Sequence, residues 1–556
     1  MTNARTSDLW WKNAVIYCLD VETFLDWNDD GMGDLVGLSE RIDYLAGIGV
    51  SCLWLMPFYP SPNRDDGYDI TDYYGVDERL GTLGEFAAMI RTAKDRGMRV
   101  IVDLVVNHTS DQHPWFRKAR ASKNSPFRDF YVWVDEPPAQ KKADVVFPDA
   151  EESIWAWDEK AGQWFLHHFY SHQPELNISN PAVRDEIAKI AGFWLELGVD
   201  GFRVDAVPFL LEGGAIPGDI GLDPHDFLED FRSFVVRRKG DALLLGEVNL
   251  PAKGLRDFFG DQGDEVQLLF NFPVMEAMYL SLARGHAAPL AAAIEKSEQI
   301  EDAQYANFVR NHDELILDQL SDDERQEVFE AFGPQEDMQL FGRGIRRRLP
   351  PMLDGDPQRI RMVYSLLFSL PGTPVLFYGE EIGMGENLEI EGRLSVRSPM
   401  QWMDGKNGGF SNAAPSRLAR PVTEGRFGPM AVNVAEQRRD PDSLLNWMER
   451  MIRRRRETPE IGWGAWQVLE TDPAAVLGHR CDWEGRTFVA VHNLGGDPCV
   501  ARVRLGTDLP DEPRLLDLFD RDGTLHEVDA PEWELKLEGY GYRWLRIHSA
   551  GQLISP

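Results

Sequence analysis

Short apolar stretches alternate along the chain with segments in which apolar residues recur every three or four positions. Apolar runs bounded by Gly, Pro or Asp predict buried strands, and a 3.6-residue apolar period predicts amphipathic helices. The regular alternation of the two predicts a parallel α/β arrangement. The eight predicted strands are Ala14–Val21, Val50–Phe58, Arg99–Asn107, Val199–Val207, Ala242–Val248, Glu265–Phe272, Ala306–Asp313 and Pro374–Ile382.

Helical patterns lie between these strands. Eight strand–helix units fit a TIM barrel, a fold whose chemistry takes place at the carboxyl ends of the strands. A doubly wound sheet is the alternative, but no glycine-rich fingerprint follows the first strand. The predicted helices include Leu35–Ile48, Leu83–Arg96, Pro181–Leu197, Asp226–Arg238 and Met352–Leu370.

Two intervals between the predicted strands are too long for simple loops. Residues 108–177 are predicted to form an inserted subdomain after the third strand, because structureless loops beyond about 15 residues are uncommon. A second insertion, Leu315 to Pro350, is charged and is predicted to be helical, with Arg346 to Arg348 in a solvated turn. From residue 461 onward, short alternating runs predict an antiparallel β-sandwich. The predicted domains are the barrel (1–107 and 178–460), the insertion (108–177) and the C-terminal domain (461–556).

The charge balance limits the expected partners. Lys and Arg number 58 and Asp and Glu number 92, which gives a formal net charge of −34. So acidic a surface repels nucleic-acid backbones and anionic membranes, and neither is an expected partner. The longest apolar stretch, Val363 to Tyr378, is interrupted by Pro371 and Pro374, so no membrane span is predicted.

Cysteine is scarce. Cys18 and Cys52 lie in apolar strand-like runs and are predicted to be reduced core thiols, whereas Cys481 and Cys499 lie in the C-terminal region and could pair. Four cysteines in a chain of this length are typical of a cytoplasmic protein. The first eight residues contain no apolar signal-peptide core, which favours the same compartment. A homo-oligomer is compatible with the sequence.

Charged side chains occur where three of the predicted strands end. Arg203 and Asp205 interrupt the fourth strand at positions that point to the same face, Glu247 lies at the end of the fifth, and Asp313 ends the seventh. A buried Arg and a buried carboxylate are costly unless they pair or do chemistry. A structural ion pair would explain Arg203 and Asp205 alone, but carboxylates at three strand ends of one barrel predict a shared acidic pocket.

Such a pocket suits the cleavage of a glycosidic bond. In retaining cleavage one carboxylate is the nucleophile and a second, about 5–5.5 Å away, is the general acid and base. Arg203 would keep Asp205 ionised, and neighbouring carboxylates would raise the pKa of Glu247 so that it donates a proton near neutral pH. His108 and His312 beside them would donate hydrogen bonds to sugar hydroxyls, although each alone is typical of a buried structural histidine.

Four segments at the predicted strand ends resemble the conserved regions of the α-amylase superfamily of glycoside hydrolases. These segments are Asp103–His108, Gly201–Asp205, Glu247 and Asn311–Asp313. The resemblance implies a retaining double-displacement mechanism, with Asp205 as the nucleophile, Glu247 as the acid and base, and Asp313 as the stabiliser of the transition state. It also identifies the insertion with domain B of that family and the β-rich tail with its domain C.

Within this superfamily, the chain most resembles members that act on short α-glucosides. Segment 171–177 is similar to the QPDLN signature of exo-acting members, with Glu175 in place of Asp, and segments 64–69, 107–116 and 396–402 look most like trehalose synthases. The similarity implies that Asp65 and Arg397 close the pocket around the non-reducing glucose and that Tyr68 stacks on its ring. The other residues expected to bind substrate are His108, Gln173, Arg203, His312 and Glu314.

The sequence also departs from the trehalose synthase pattern. In the first strand, trehalose synthases usually carry Glu, His and Arg in place of Cys18, Asp20 and Glu22. Segment 248–250, Val-Asn-Leu, replaces an Ala-Asn-Gln pattern, and segment 394–395, Leu-Ser, replaces Asn-Gly. The latter two changes lie near the expected acceptor side, so they leave the acceptor open.

A separate metal site is predicted in the acidic loop that follows the first strand. Ca²⁺ favours clusters of oxygen ligands such as this loop offers, and the loop resembles the structural Ca²⁺ or Mg²⁺ site of oligo-1,6-glucosidase relatives. An acidic turn without metal is the alternative, and an EF-hand is disfavoured because its distal Glu would fall at Leu38. No organic cofactor is expected. The candidate ligands are the side chains of Asp26, Asn28, Asp30 and Asp34 and the carbonyl of Met32.

The favoured function is that of a retaining enzyme that removes a terminal α-glucosyl unit from short α-linked gluco-disaccharides or oligosaccharides. A trehalose synthase-like enzyme re-bonds the released glucose and turns maltose into trehalose with side hydrolysis. An α-glucosidase passes the glucosyl unit to water and a transglucosylase passes it to another acceptor, with the same catalytic residues. A non-catalytic accessory relative is disfavoured, because such proteins tend to lose these carboxylates and gain a membrane anchor.

Overall fold

The computed structural model describes residues 8–140, 145–211, 224–506, 509, 513–520, 525–527 and 532–548. The predicted domain limits at residues 1 and 556 therefore lie outside the described residues. Within the described part, no helix combines the length and apolar character needed to cross a membrane.

Eight parallel strands form a closed barrel, as the sequence predicts. Their side chains are almost all buried, which explains the continuous apolar runs that mark them in the sequence. Each overlaps its predicted range but is shorter, and the seventh ends at Asn307, well before Asp313. The strands are β1 Ile16–Leu19, β2 Cys52–Leu55, β3 Arg99–Leu104, β4 Gly201–Val204, β5 Leu243–Gly246, β6 Leu268–Phe270, β7 Gln304–Asn307 and β8 Thr373–Phe377. Strand β8 pairs with β1 and closes the barrel.

Several helices around the barrel begin at residues whose side chains cap them. The Asp34 carboxylate accepts from the backbone of the helix Leu35–Ile48, and Thr82 forms a capping box with Glu85 at the start of Leu83–Asp95. The predicted helix Met352–Leu370 is two helices, because Asp356 and Pro357 start a new one. The other longer α-helices are Pro181–Leu197, Pro224–Arg238, Phe272–Arg284, Ala288–Lys296, Pro357–Ser369 and Leu444–Arg456, and the shorter ones are Val21–Phe24, Val207–Leu211, Ala252–Leu255, Leu349–Met352, Val434–Arg439 and Glu460–Trp463.

The segment predicted as an inserted subdomain contains its own small sheet. The helix Pro114–Ala121 is followed by three antiparallel strands in the order Trp133–Val134, Gln163–Leu166, Trp155–Asp158. A separate apolar cluster formed by Val132, Val134, Trp155 and Leu166 packs beneath it. The insertion therefore has a local core in addition to its contacts with the barrel.

The second insertion is only partly helical, contrary to the prediction. The helix Asp322–Phe332 is accompanied by a sheet of three two-residue strands, Leu315–Ile316, Gly344–Ile345 and Gln339–Leu340. The predicted solvated turn at Arg346 to Arg348 is wrong, since Arg348 is buried and donates to the carbonyls of Val396 at 2.9 Å and Tyr378 at 2.7 Å. Carbonyl acceptors make the burial of this guanidinium tolerable.

In its described residues, the C-terminal domain contains two antiparallel sheets with an apolar cluster between them, as predicted. Cys481 and Cys499 lie in different sheets and both are free thiols, so the pairing considered from the sequence is wrong. Cys18 and Cys52 are free and buried in the barrel, as predicted. One sheet has the order Ala465–Leu469, Val476–Trp483, Arg486–Asn493, Tyr542–His548, Arg514–Asp517, Leu525–Glu527, and the other has the order Thr471–Asp472, Cys499–Arg504, Glu532–Leu537.

Candidate active site

One buried arginine gathers the carboxylates at the carboxyl ends of β3, β4 and β5. Nη1 of Arg203 lies 2.5 Å from Oδ1 of Asp103 and 2.5 Å from Oδ1 of Asp205, and Nη2 lies 2.8 Å from Oε2 of Glu247. The guanidinium is 1% exposed, so these contacts form in a medium of low dielectric constant. The predicted pairing of Arg203 with Asp205 is confirmed, and it extends to two further carboxylates.

The backbone around Asp205 has two unusual conformations. Gly201 at the start of β4 has φ of 147°, and a Cβ atom there would lie 2.1 Å from the Leu243 carbonyl oxygen of β5. Only glycine allows the two strands to approach so closely. Ala206 has φ of 49°, and its N–H donates to Oε2 of Glu247 at 3.2 Å. This turn holds the Asp205 and Glu247 side chains on the same end of the barrel.

The pKa values of Asp205 and Glu247 differ. Burial raises the pKa of Asp205 to about 6, although Arg203 opposes the shift. Burial, together with the charges of Asp205 and Asp313, raises the pKa of Glu247 to about 7 against the attraction of Arg203. Glu247 therefore keeps its proton to a higher pH than Asp205 does. An ionised carboxylate beside a protonated one is what retaining glycoside cleavage needs.

Two arginines and a histidine hold the third carboxylate on the loop beyond β7. Oδ1 of Asp313 accepts from Arg393 at 2.7 Å and from Arg397 at 3.0 Å, and Oδ2 lies 3.1 Å from Nε2 of His312. Burial alone would raise the pKa of Asp313, but His312 and the two arginines hold it well below its usual range. Asp313 is therefore ionised throughout the range in which Asp205 and Glu247 titrate.

These carboxylates share a cavity of about 550 Å³ with other residues predicted to bind substrate. The Tyr68 hydroxyl lies 2.7 Å from Nε2 of His312, and the two rings are parallel with centroids 5.7 Å apart. Nε2 of His108 lies 3.1 Å from the Tyr68 carbonyl oxygen. The predicted residues that line the cavity are Asp65, Tyr68, His108, Asp205, Glu247, Asp313 and Glu314.

The other predicted substrate residues lie behind the lining. Gln173 donates from Nε2 to Oδ2 of Asp65 at 2.9 Å, and His312 and Arg397 contact Asp313. Arg203 lies beneath Asp205 and Glu247. These groups orient the carboxylates that face the cavity.

Asp65 forms an ion pair with Arg393, a residue that the sequence analysis did not single out. Nη2 of Arg393 donates to Oδ1 of Asp65 at 2.7 Å, while its Nη1 reaches Asp313 at 2.7 Å. Arg397, which was expected to close the pocket together with Asp65, donates to Asp66 at 2.5 Å. Arg393 lies in the 3₁₀ helix Gly392–Val396, about one helical turn before Arg397. This spacing places both guanidinium groups near the same pocket and could have been read from the sequence.

Apolar side chains complete the cavity, and the sequence did not single out the aromatic ones. The Phe169 ring lies 5.1 Å from Phe209 and 5.9 Å from Phe147, measured between centroids. Aromatic faces of this kind stack on sugar rings. Leu250, one of the departures from the trehalose synthase pattern, also lines the cavity. The apolar lining includes Phe147, Phe169, Phe209, Leu250, Phe272 and Ile316.

In the predicted metal loop, backbone N–H groups already occupy the carboxylates. Asp26 accepts from the N–H groups of residues 29, 30 and 31, and Asp34 accepts from those of residues 27, 28 and 37. Asp30 and Asn28 are exposed. Among the described residues, the trio of acidic, His or Cys side chains that converges within 4.8 Å is Asp20, Glu22 and Asp66, not the loop carboxylates. A cation in the loop would thus require these carboxylates to turn toward one another, and the site stays a prediction.

The closed parallel barrel carries at its carboxyl end the paired carboxylates that retaining cleavage of a glycosidic bond requires. The sequence model of the α-amylase catalytic domain family matches residues 19–331 and 346–464, and the chain belongs to this family of enzymes. Residues 485–546 match a sucrose hydrolase-like C-terminal domain.

Relatives narrow the comparison. The chain is 39% identical to the trehalose synthase of Pimelobacter sp., over 97% of this chain and 96% of that protein. It is 42% identical to the trehalose synthase/amylase TreS of Mycobacterium tuberculosis, over 98% and 91% respectively. The trehalulose synthase MutB of Pseudomonas mesoacidophila MX-45 superposes with a TM-score of 0.76 at 26% identity, covering 97% of this chain and 99% of that one.

Proposed function

We propose that this protein transfers the terminal α-glucosyl unit of short α-glucosides through a covalent glucosyl–enzyme, and that it converts maltose to trehalose with some hydrolysis. The observation that carries this proposal is the contact of Arg203 with both Asp205 and Glu247, whose pKa values differ in the required direction. Trehalose synthases at about 40% identity over nearly the whole chain support the choice of reaction.

In the first half-reaction Asp205 attacks the anomeric carbon and forms an ester bond to it. Glu247 gives its proton to the departing glycosidic oxygen, so glucose leaves as a neutral alcohol. In the second half-reaction the ionised Glu247 takes a proton from the attacking hydroxyl as the ester bond breaks. Asp313 accepts hydrogen bonds from sugar hydroxyls and favours the positive charge that develops on the ring.

Isomerisation requires that glucose reacts before water does. Arg393 joins Asp65 to Asp313 across one part of the cavity lining, and a pocket closed in this way admits a single terminal unit. A volume of about 550 Å³ lies within the range of ligand pockets and suits a disaccharide. The released glucose would turn within this space and return a different hydroxyl to the anomeric carbon.

Time-resolved NMR of maltose, and separately of trehalose, tests the proposal. We expect the two sugars to interconvert with little free glucose, and the variant Asp205→Asn, as the control, to leave both unchanged. Glucose as the sole product would overturn the isomerase proposal in favour of an α-glucosidase. No change in maltose, trehalose, sucrose, isomaltose, nigerose or kojibiose would overturn glucosyl transfer altogether.

A second candidate, hydrolysis or transfer to another acceptor, is favoured by Leu250 in the cavity lining. An aliphatic side chain gives a released glucose no hydrogen bond, whereas the Gln expected there from the trehalose synthase pattern would. The ratio of glucose to trehalose formed from maltose, with and without added acceptors, separates the two reactions. If Leu250 weakens glucose retention, Leu250→Gln lowers that ratio.

We also propose a structural Ca²⁺ in the loop 26–34, on its oxygen donors alone, and a cytoplasmic location, on the free cysteines. Trp27 in this loop is 57% exposed and would sensitise Tb³⁺ luminescence if the cation binds there. Tb³⁺ emission that is displaced by Ca²⁺ and lost in Asp30→Asn supports the metal site. Emission that is absent, or unchanged in Asp30→Asn, would remove it.

A further inference from the structure

A second buried arginine collects three carboxylates next to the active site. Nη1 of Arg420 donates to Oδ2 of Asp20 at 2.9 Å, and Nη2 donates to Oε2 of Glu22 at 3.2 Å and also to Oδ1 of Asp66. Arg420 is 6% exposed. The three carboxylates come from the turn after β1 and from the loop after β2, and the arginine comes from a loop 400 residues beyond Asp20 in sequence.

This cluster is connected to the catalytic carboxylates through Arg397. Asp66 is shared, because its Oδ1 takes the bond from Arg420 while its Oδ2 takes one from Arg397 at 2.5 Å. Arg420 also donates to the Arg397 carbonyl oxygen at 3.0 Å. Arg397 in turn donates to Asp313 at 3.0 Å and to the His312 carbonyl at 2.7 Å. Both the backbone and the guanidinium of Arg397 are thus fixed by contacts that depend on Arg420.

The cluster needs its arginine for electrostatic reasons. Burial opposes the ionisation of Asp66, but Arg420 and Arg397 outweigh it and lower its pKa to about 2. Burial raises the pKa of Glu22 to about 7 despite Arg420. Without a cation, three carboxylates within 4.8 Å of one another would repel or take up protons. A protonated Asp66 would hold Arg397 much less firmly.

A metal site and a structural staple fit the same residues less well. A trio of converging carboxylates is a donor set for a metal ion, but here the guanidinium of Arg420 already supplies the positive charge and the hydrogen bonds. A purely structural staple between two loops would account for the contacts with Asp20 and Glu22. It would not require the additional bonds to Asp66 and to the Arg397 carbonyl, which are the ones that lead to Asp313.

We propose that Arg420 is a positioning residue for the glucosyl transfer. It fixes Asp66 and the backbone of Arg397, so that Arg397 holds Asp313 where the transition state needs it. Arg420 touches no reacting atom. The inference rests on the proposed function, since it concerns the rate of that reaction.

The test compares Arg420→Met and Arg420→Lys with Arg455→Met, a matched control. Arg455 is also buried and donates to the carbonyl of Gly372 at 2.7 Å, but it contacts none of the catalytic carboxylates named above. We expect Arg420→Met to lower kcat about 100-fold with KM changed less than about threefold, because small displacements of a catalytic group cost this much. Arg420→Lys, which keeps the charge but not the planar fork, should recover about tenfold. Arg455→Met should lower Tm and leave kcat within about twofold.

A double-mutant cycle separates positioning from general damage. In an Asp313→Asn background, Arg420→Met should lower the residual kcat by less than about threefold, because its effect passes through Asp313. An equal loss in both backgrounds, or a kcat of Arg420→Met within about threefold of the parent, would overturn the inference. Arg420→Lys carries the test if Arg420→Met does not fold. An inactive parent enzyme would instead refute the proposed function.

Discussion

In the described part of the chain, two buried clusters have the same composition, each with one arginine and three carboxylates. Arg203 holds Asp103, Asp205 and Glu247, and Arg420 holds the trio of Asp20, Glu22 and Asp66. In the first cluster two of the carboxylates also line the cavity, whereas none of the second cluster does. The chemistry of a buried ion cluster is therefore decided by whether its carboxylates reach a space that substrate can enter, not by its charges.

The two clusters also prepare the active site in different ways. The Arg203 cluster sets the protonation of the groups that react, and the Arg420 cluster sets the position of a group that holds one of them. Both need full pairing, since an unpaired charge in such surroundings costs several kcal/mol. The same substitution made in each cluster therefore distinguishes residues that take part in the reaction from residues that position them.

The largest expected difference concerns the nucleophile. Asp205→Asn should lower kcat on maltose on the order of 10⁴-fold or more, because the covalent intermediate no longer forms. Asp20→Asn, the same change in the other cluster, should cost at most about tenfold. Initial rates followed by NMR, with circular dichroism as a check of folding, measure both. If Asp205→Asn retained more than about 1% of the parental kcat, Asp205 would lose its assignment as nucleophile.

The second largest expected loss of activity concerns Glu247, the general acid and base. Glu247→Gln should lower kcat on maltose about 10³-fold. The loss should be much smaller for α-glucosyl fluoride, whose leaving group needs no proton, and added azide should trap the glucosyl–enzyme as glucosyl azide. Glu22→Gln is the matched control and should affect both substrates alike. An equal loss of Glu247→Gln on both substrates would contradict the role of Glu247 as the acid.

A smaller loss of activity is expected when Arg393 is replaced. Arg393→Met removes the bridge between Asp65 and Asp313 and should lower kcat/KM about 10²-fold, with more free glucose per trehalose because the pocket opens to water. Arg347→Met, which breaks a pair with Glu386 outside the cavity lining, is the control. Product ratios at equal conversion measure the effect. An unchanged ratio would mean that this bridge does not exclude water.

The pH dependence should show the smallest effect, about tenfold per pH unit outside the optimum. Asp205 must be ionised, so kcat/KM falls as the pH drops below about 6, and Glu247 must be protonated, so it falls as the pH rises above about 7. The basic limb seen with maltose should be absent when the parent enzyme acts on α-glucosyl fluoride, whose leaving group needs no proton, whereas Glu22→Gln should retain the limb on maltose even though Glu22 also has a raised pKa of about 7. A basic limb that persisted in the parent enzyme with α-glucosyl fluoride would assign the limb to another group.

The barrel and the location of its pocket could be predicted from sequence, because each strand is a short buried run and each key carboxylate follows one. The positions of strand ends were less accurate, and Asp313 lies on a loop because the strand ends at Asn307, six residues before it. Arg393 and Arg420 could not be identified from periodicity. Their guanidinium groups reach partners more than 300 residues away, which depends on how surface loops fold over the barrel.

The closure of the barrel by pairing of β1 with β8 has a consequence for biosynthesis. Ile16 lies opposite Val375. One edge of β1 therefore has no strand to pair with until β8 has left the ribosome. At about 5–20 residues per second, translation of the roughly 360 residues between them takes about 20–70 s. During this time the nascent chain exposes a hydrophobic strand edge, and its yield in the cell should depend on chaperones that shield such edges more than on the stability of the finished enzyme.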